Sequence, residues 1–439
     1  MQTVVNAVQD SMGPVPTDTQ PTYKHRADGS TMKALAWFGN MDVRMVDAPI
    51  PDISEDKDVI IKTTGTTICG SDLHLYHSEM MALQKGDILG HEFMGVIDRV
   101  GPGVTTLKPG DRVVVSFQIA CGSCKFCQKK WSSMCDKTNN SSLMASMYGQ
   151  RDAGFLGYGH MTGGFPGGQA EYVRVPFGEV NCLKVPESVS DEQALYLSDV
   201  LPTSYHAIAD TRVEEGDVVG IWGLGPIGIC CVKWALLKGA KKVYAIDTNP
   251  TRLALAKSMG AITVDFNVDK VTKRILDEVP DGLDVCIDAT SFHEPKTMLH
   301  KVEKALMLET DVSETPNEMI FLAKKFGRIG LIGVYAGYTN HFAIGALMEK
   351  GVRFIGNGQA PVHLYWEEIL NDYIMTGKFD VSFMVSHRVG IEDFPKLYEK
   401  FDKRYAGVEK VFVETKFSNP PSKGFPQLTK VDDWANKVI

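Results

Sequence analysis

The spacing of hydrophobic positions changes near Asp191. Before it, short apolar runs alternate with Gly, Pro and Asp corners. MKALAWF from Met32, VIIKTTGTT leading to Cys69, EFMGVIDRVG from Glu92 and the RVVV after LKPGD read as strands. GGQAEYVRVP returns to strand. An all-β stretch turning on Gly and Pro predicts a small barrel or curled sheet. CGSDLH predicts a short helix that Ser71 or Asp72 can cap.

After Asp191 strands and helices take turns. DEQALYLSDVLPTSYHAIA reads as helical pieces interrupted at Pro202. DVVGIWG is an apolar strand, and GLGPIGICCVKWALLKG a helix opening on glycines. KVYAIDTN is a strand ending in Asp247, and PTRLALAKSMGA a helix from Pro250 to Gly260. TVDF, LDVCIDAT and GRIGLIGVY supply more strands, with helices from about Lys270 to Glu278 and after Thr290. Such alternation predicts a parallel sheet with right-handed crossovers. From about Gly358 the pattern returns to helices and the strand KVFVE. The chain thus leaves one domain, builds a doubly wound sheet and comes back. The expected boundaries are 32–199 with 356–439 for the first domain and 200–355 for the second. Residues 1–31 read as a flexible extension or a strap on the surface.

Composition narrows the function classes. The 439 residues exceed one hydrophobic core, and 44% hydrophobic with 23% charged residues is ordinary for a soluble protein. A net charge of −8 without a basic block argues against nucleic acid as partner. No apolar run reaches the roughly 20 residues of a membrane helix. The first residues lack a secretory pattern, so a cytoplasmic home is expected. Of nine cysteines, Cys182, Cys230, Cys231 and Cys286 lie among apolar residues and are expected as buried thiols.

The other five cysteines carry chemistry. Cys121, Cys124, Cys127 and Cys135 follow C-x2-C-x2-C-x7-C, the spacing of a closed structural zinc lobe over 121–135. Cys69, His91 and Glu92 have the look of an open metal site. A metal-bound histidine needs a carboxylate on its other nitrogen, and Asp72 can supply it. In the second domain, Gly223, Gly225, Pro226, Ile227 and Gly228 form a GLGPIG turn between strand and helix, and Asp247 closes the next strand 19 residues after Gly228. That context predicts a dinucleotide fingerprint, with the pyrophosphate on the helix N-terminus. Asp247 would accept from the adenosine ribose and repel a 2′-phosphate, favouring NAD over NADP.

Together these motifs make the chain resemble the zinc-dependent medium-chain alcohol dehydrogenases. CGSDLH, GHEFMGVIDRVG, KPGDRV, the cysteine lobe, GGQAEY and GLGPIG stand in that family's order over about residues 32 to 415. LSDVLPTSYHA, GGQAEYVRVP and GQAPV look most like the glutathione-independent formaldehyde dehydrogenase branch. The resemblance implies an α/β protein, with a GroES-like β-rich catalytic domain and a Rossmann doubly wound parallel sheet for NAD. It implies two zinc ions per chain, the catalytic one on Cys69, His91 and Asp199, where many members carry a third cysteine. Glu92 becomes a neighbouring carboxylate, either paired in a salt bridge or exchanging onto the metal. Ser71 matches the relay hydroxyl, His74 the outer relay base, and Thr203 a residue against the nicotinamide. Arg252 joins the cofactor-binding residues. The implied partner is a small alcohol or aldehyde, and the implied assembly a homodimer or homotetramer.

The implied activity is reversible hydride transfer between an alcohol, or an aldehyde hydrate, and NAD. An aldehyde dismutase with tightly held NAD is the alternative, and a non-catalytic dinucleotide-binding relative the alternative from another class. The segments 138–166 and 301–318 depart from the family and argue against formaldehyde itself. Met144, Met147, Tyr148, Phe155, Tyr158, Met161 and Phe165 in the first of them fit an apolar pocket wall or a contact with a neighbouring subunit equally well.

Overall fold

The structure, a computed structural model, describes residues 2–290, 310–335 and 337–437. They fall into two units, Met1–Pro202 with Pro361–Ile439, and Thr203–Ala360.

In the first unit, β1 (Thr31–Gly39) and β2 (Asp42–Pro49) pair antiparallel. The main sheet holds β3 (Val59–Thr66), β4 (Phe93–Val100) and β5 (Arg112–Val115). A small pair, β6 (Gln118–Ile119) and β7 (Gly154–Phe155), stands apart. The main sheet also takes β8 (Tyr172–Val175), β9 (Cys182–Lys184) and two strands of the returning chain, Val385–Gly390 and Lys410–Glu414. β3 is central, antiparallel to β4, β8 and Lys410–Glu414, and nearly every residue in it is buried. Such a strand can afford little polarity, which VIIKTTGT respects except at Lys62.

Register gathers the site. Thr66 stands opposite Phe93 on β4 and opposite Val413 on the returning strand. The residues just past β3 and just before β4 therefore lie at one end of the sheet, and they are Cys69 and His91–Glu92. Carried three residues further, the second register brings Lys410 level with Cys69.

The second unit is one six-stranded sheet, wholly parallel: β10 (Val218–Trp222), β11 (Lys242–Asp247), β12 (Ile262–Asp265), β13 (Leu283–Asp288), β14 (Ala323–Leu331) and β15 (Arg353–Gly356). Their order in space is β12-β11-β10-β13-β14-β15, the doubly wound order whose switch point lies between β10 and β13. The strands are short apolar runs because helices cover both faces, among them Pro226–Leu237, Pro250–Ser258, Val271–Glu278 and Glu314–Leu322. The helix expected after Thr290 and the first part of the 301–318 segment fall outside the described residues.

Three local expectations need correction. Pro202 does not interrupt the helical run: it lies in the first turn of helix Val200–Asp210, where a missing N–H costs nothing. The break is at Asp199, with φ −152° and ψ −68°, between a tight turn over Leu195–Ser198 and that helix. Ser71 precedes helix Asp72–Tyr76 but makes no side-chain cap. Nor are residues 1–31 a loose lead-in. Gln2–Met12 is a helix, and Leu83 N donates to Gln2 Oε1 at 3.0 Å while Asn6 Nδ2 donates to Leu83 O at 3.1 Å. Farther on, Arg174 Nη1 donates to Gln20 O at 2.7 Å. Residues 2–30 are a strap tied down along its length.

Candidate metal centres

Cys69, His91, Glu92 and Asp199 each turn one donor atom to a common point, all four within 4.8 Å of one another. Asp72 builds the arrangement. Its Oδ2 accepts from Cys69 N at 2.9 Å and from Gln169 Nε2 at 3.3 Å, and its Oδ1 lies 3.1 Å from His91 Nδ1. His91 thus turns Nδ1 to the Asp72 carboxylate and Nε2 to the cluster. That nitrogen is 3.5 Å from Asp199 Oδ2, 3.9 Å from Glu92 Oε1 and 3.3 Å from Ser71 Oγ. Gln169 is held in turn by Tyr398, whose hydroxyl donates to its Oε1 at 2.9 Å.

The electrostatics favour a cation here. Burial opposes a charged imidazole, but Asp72, Asp199 and Cys69 outweigh it and raise the His91 pKa well above its usual value. Burial also pushes the Glu92 carboxyl up, with Lys410 pulling it back and Asp199 adding to the rise. Lys410 is fully buried and its ammonium is ion-paired with Glu92 Oε1. Glu92 Oε2 is buried with no hydrogen-bond partner among the described residues. A tetrahedral zinc ion with ligands at 2.0–2.3 Å spaces its donors about 3.3–3.8 Å apart. The donors present therefore fit zinc in number and type, and the 3.5 Å between His91 Nε2 and Asp199 Oδ2 falls within that range.

The four-cysteine lobe is built differently. Cys121 Sγ and Cys127 Sγ are 3.9 Å apart, and Cys124 Sγ and Cys135 Sγ 4.0 Å. Backbone N–H groups aim at the sulfurs: Cys124 N to Cys121 Sγ at 3.3 Å, Cys121 N to Cys135 Sγ at 3.4 Å and Cys127 N to Cys124 Sγ at 3.5 Å. These local dipoles offset thiolate charge, so the lobe suits a closed Zn–S4 site. It packs against Phe117, Phe155, Val362 and Trp366. Cys182, Cys230, Cys231 and Cys286 are buried thiols outside any disulfide.

Other sequence candidates have definite places. His74 is buried, with Nδ1 2.6 Å from Glu79 Oε2. In the second unit, Gly223 has φ +82°, and a Cβ on Gly228 would fall 1.8 Å from Gly223 O, so neither position admits a side chain. Asp247 braces this turn: its Oδ2 accepts from Leu224 N at 2.6 Å, and its Oδ1 from Thr248 N at 2.6 Å and Asn249 N at 2.9 Å. Gly225, followed by Pro226 and Ile227 in the helix, faces open space but for Arg252 Nη1, 3.9 Å from where its Cβ would be. Thr203 is the first residue of the second unit.

Four residues around the open cluster were missed from sequence: Lys410, Gln169, Glu79 and Tyr398. Lys410 had one signal, a lysine heading the apolar run VFV in a central strand. In the 138–166 segment Leu156 and Phe165 join the core around Val59 and Phe93, and the other buried apolar residues divide among three places. Phe155 packs on the cysteine lobe, Met144 and Met161 on Ala82 near the N-terminal helix, and Tyr158 sets its ring edge-on to His91 with centroids 5.4 Å apart. Met147 and Tyr148 are exposed. No helix among the described residues is long and apolar enough to cross a membrane.

Residues 55–187 match the alcohol dehydrogenase GroES-like domain, and residues 226–305 match the zinc-binding dehydrogenase domain. The chain is 42% identical over 399 residues to a zinc-type alcohol dehydrogenase-like protein of Schizosaccharomyces pombe, covering 90% of this chain and 93% of that one. It is 33% identical over 408 residues to a glutathione-independent formaldehyde dehydrogenase of Pseudomonas aeruginosa, covering 87% and 96%. Among solved structures it resembles an alcohol dehydrogenase from Thermus sp. ATN1, with TM-score 0.74, 31% identity and coverage of 88% and 100%.

Proposed function

The chain belongs to the zinc-dependent medium-chain alcohol dehydrogenase family, and on that premise we propose that it oxidises a small alcohol, or an aldehyde hydrate, with NAD and runs the reverse reduction. Cys69, His91 and Asp199 would hold the catalytic zinc, and Cys121, Cys124, Cys127 and Cys135 the structural one. Bound there, zinc supplies Lewis-acid polarisation of the substrate oxygen, and NAD supplies the hydride acceptor.

The chain's own residues do the rest. Asp72 fixes the tautomer and aim of His91 and ties Cys69 into the same network. Ser71 Oγ, 3.3 Å from His91 Nε2, stands where it can take the alcohol proton. His74 is steadied by Glu79 and serves as the outer base of the relay. Lys410 balances the Glu92 charge, leaving two anionic ligands to match a divalent ion. In the second unit Gly223, Gly225 and Gly228 open the helix N-terminus to a pyrophosphate. Asp247 and Arg252 serve the adenosine end, and Thr203 the nicotinamide.

The observation that carries this reading is the convergence of Cys69, His91, Glu92 and Asp199 on one point, with Ser71 beside it. Metal analysis together with a panel of alcohols and aldehydes, followed by NADH absorbance, tests it. Two zinc ions per chain and NAD-linked turnover are the expected result. One zinc per chain, or no turnover across the panel, overturns it. Aldehyde supplied without added NAD separates the dismutase alternative, which would yield alcohol and acid in pairs. A cytoplasmic location and a homodimeric or homotetrameric state belong to the same proposal.

A further inference from the structure

Tyr158 lies in the 138–166 segment and touches the open cluster at two points. Its ring stands perpendicular to the His91 ring, at 89° with centroids 5.4 Å apart. Its hydroxyl donates to the Ser71 carbonyl at 3.3 Å. One aromatic side chain thus braces both a metal-ligand candidate and the backbone of the relay hydroxyl.

The backbone around Tyr158 is keyed to the same place. Gly157 has φ +67°, and a Cβ there would fall 2.5 Å from Gly90 O and 2.6 Å from Gly90 N. Gly90 is the residue before His91. A Cβ on Gly167 would likewise fall 2.4 Å from Gly90 O, and Gly168 N donates to that oxygen at 2.6 Å. Gly157 N donates to Phe165 O at 2.8 Å, and Thr162 Oγ1 donates to Tyr158 O at 3.1 Å. The segment therefore seats against the ligand loop with no room to slide, and Tyr158 follows directly from that seat. Tyr158 also packs between the cluster around Leu73 and Tyr398 and the one around Phe117 and Phe155.

We propose that Tyr158 is a positioning residue for the reaction: it fixes Ser71 through the backbone carbonyl and His91 through its ring edge, so that the relay hydroxyl and the metal ligand keep one mutual geometry. The stretch around Gly157 and Tyr158 is then part of the catalytic apparatus, whereas the exposed helix end at Met147 and Tyr148 is not. This rests on the proposed dehydrogenase reading for the roles of Ser71 and His91. A misplacement of the order of 1 Å can cost up to about a hundredfold in rate, and one edge contact with one hydrogen bond is a fraction of that.

The test compares Tyr158→Phe, Tyr158→Leu and the exposed-site control Met147→Ala in the zinc enzyme and in its cobalt-substituted form. Tyr158→Phe loses only the bond to Ser71, and kcat is expected to fall roughly tenfold with KM changed less than about threefold. Tyr158→Leu also loses the ring edge, so kcat falls further and the visible ligand-field bands of cobalt shift. Met147→Ala changes neither. Full metal loading with kcat within about twofold of the wild type in both Tyr158 variants overturns the proposal. So does a rise in KM at unchanged kcat, which would make Tyr158 a wall of the substrate pocket. If the wild type shows no NAD-linked turnover but the cobalt bands of Tyr158→Leu shift, the dehydrogenase reading fails and the positioning of His91 stands.

Discussion

The two candidate metal clusters of the first unit solve one problem in opposite ways. The lobe takes four ligands from the 15 residues between Cys121 and Cys135 and offsets their charge with backbone N–H groups of the same loop. The open cluster draws on residues 69, 91–92 and 199, and its charge is balanced by Lys410, more than 200 residues farther along the chain. A closed site can be local because it only has to hold an ion. An open site must leave a face for substrate, so its ligands come from different elements and its charge is balanced from behind. The lesson is that dispersion in sequence goes with exposed chemistry, and compactness with scaffolding.

That contrast can be broken most directly at Cys69. Cys69→Ser should lower turnover to below about one-thousandth while the lobe keeps its metal, so that the zinc count drops from two to one per chain. If both ions leave together, the clusters are not independent. Next comes the remote balance. Lys410→Met strands a buried Glu92 charge and should cost roughly 3–5 kcal/mol of stability, read as a lower denaturant midpoint at unchanged m-value. A variant as stable as the wild type would show that Glu92 needs no counter-ion. Asp72→Asn is milder: metal affinity at the open site should fall roughly 10–100-fold in chelator competition, with the lobe unaffected. The smallest effect is expected at Asp247, whose turn is as local as the lobe. Asp247→Ala removes three backbone bonds and the repulsion of a 2′-phosphate, so NAD should bind a few-fold more weakly and its advantage over NADP shrink. Unchanged selectivity would refute the role given to Asp247.

Legibility followed the same division. The lobe and the glycine turn were readable because spacing within a short stretch nearly determines geometry. The parallel order of the second sheet was readable from apolar strands alternating with helices. Asp72 as the partner of His91 was available from chemistry, since a bound imidazole needs an acceptor and CGSDLH offers one. Lys410 and Gln169 were not, because nothing local says that a lysine heading KVFVE will lie level with Cys69; only the pairing of Val413 with Thr66 does. The helix Gln2–Met12 was hidden for a related reason. Its sequence has no marked helix signal, and what holds it is contact with the turn ending at Leu83 and with the 142–148 helix. Pro202 misled because a proline in the first helical turn and one in the middle look alike until the helix start is known.

The seat of Gly157 on Gly90 bears on how this enzyme can be altered. Attempts to change its substrate range would naturally randomise the 138–166 segment, since Tyr158 within it stands against His91. A saturation library across the segment should split sharply. Positions 147 and 148 should accept most residues, whereas position 157 should accept almost none, its tolerance resembling that of a ligand codon although it carries no functional group. Diversity placed around that fixed point, rather than through it, would leave more of a library folded and metallated.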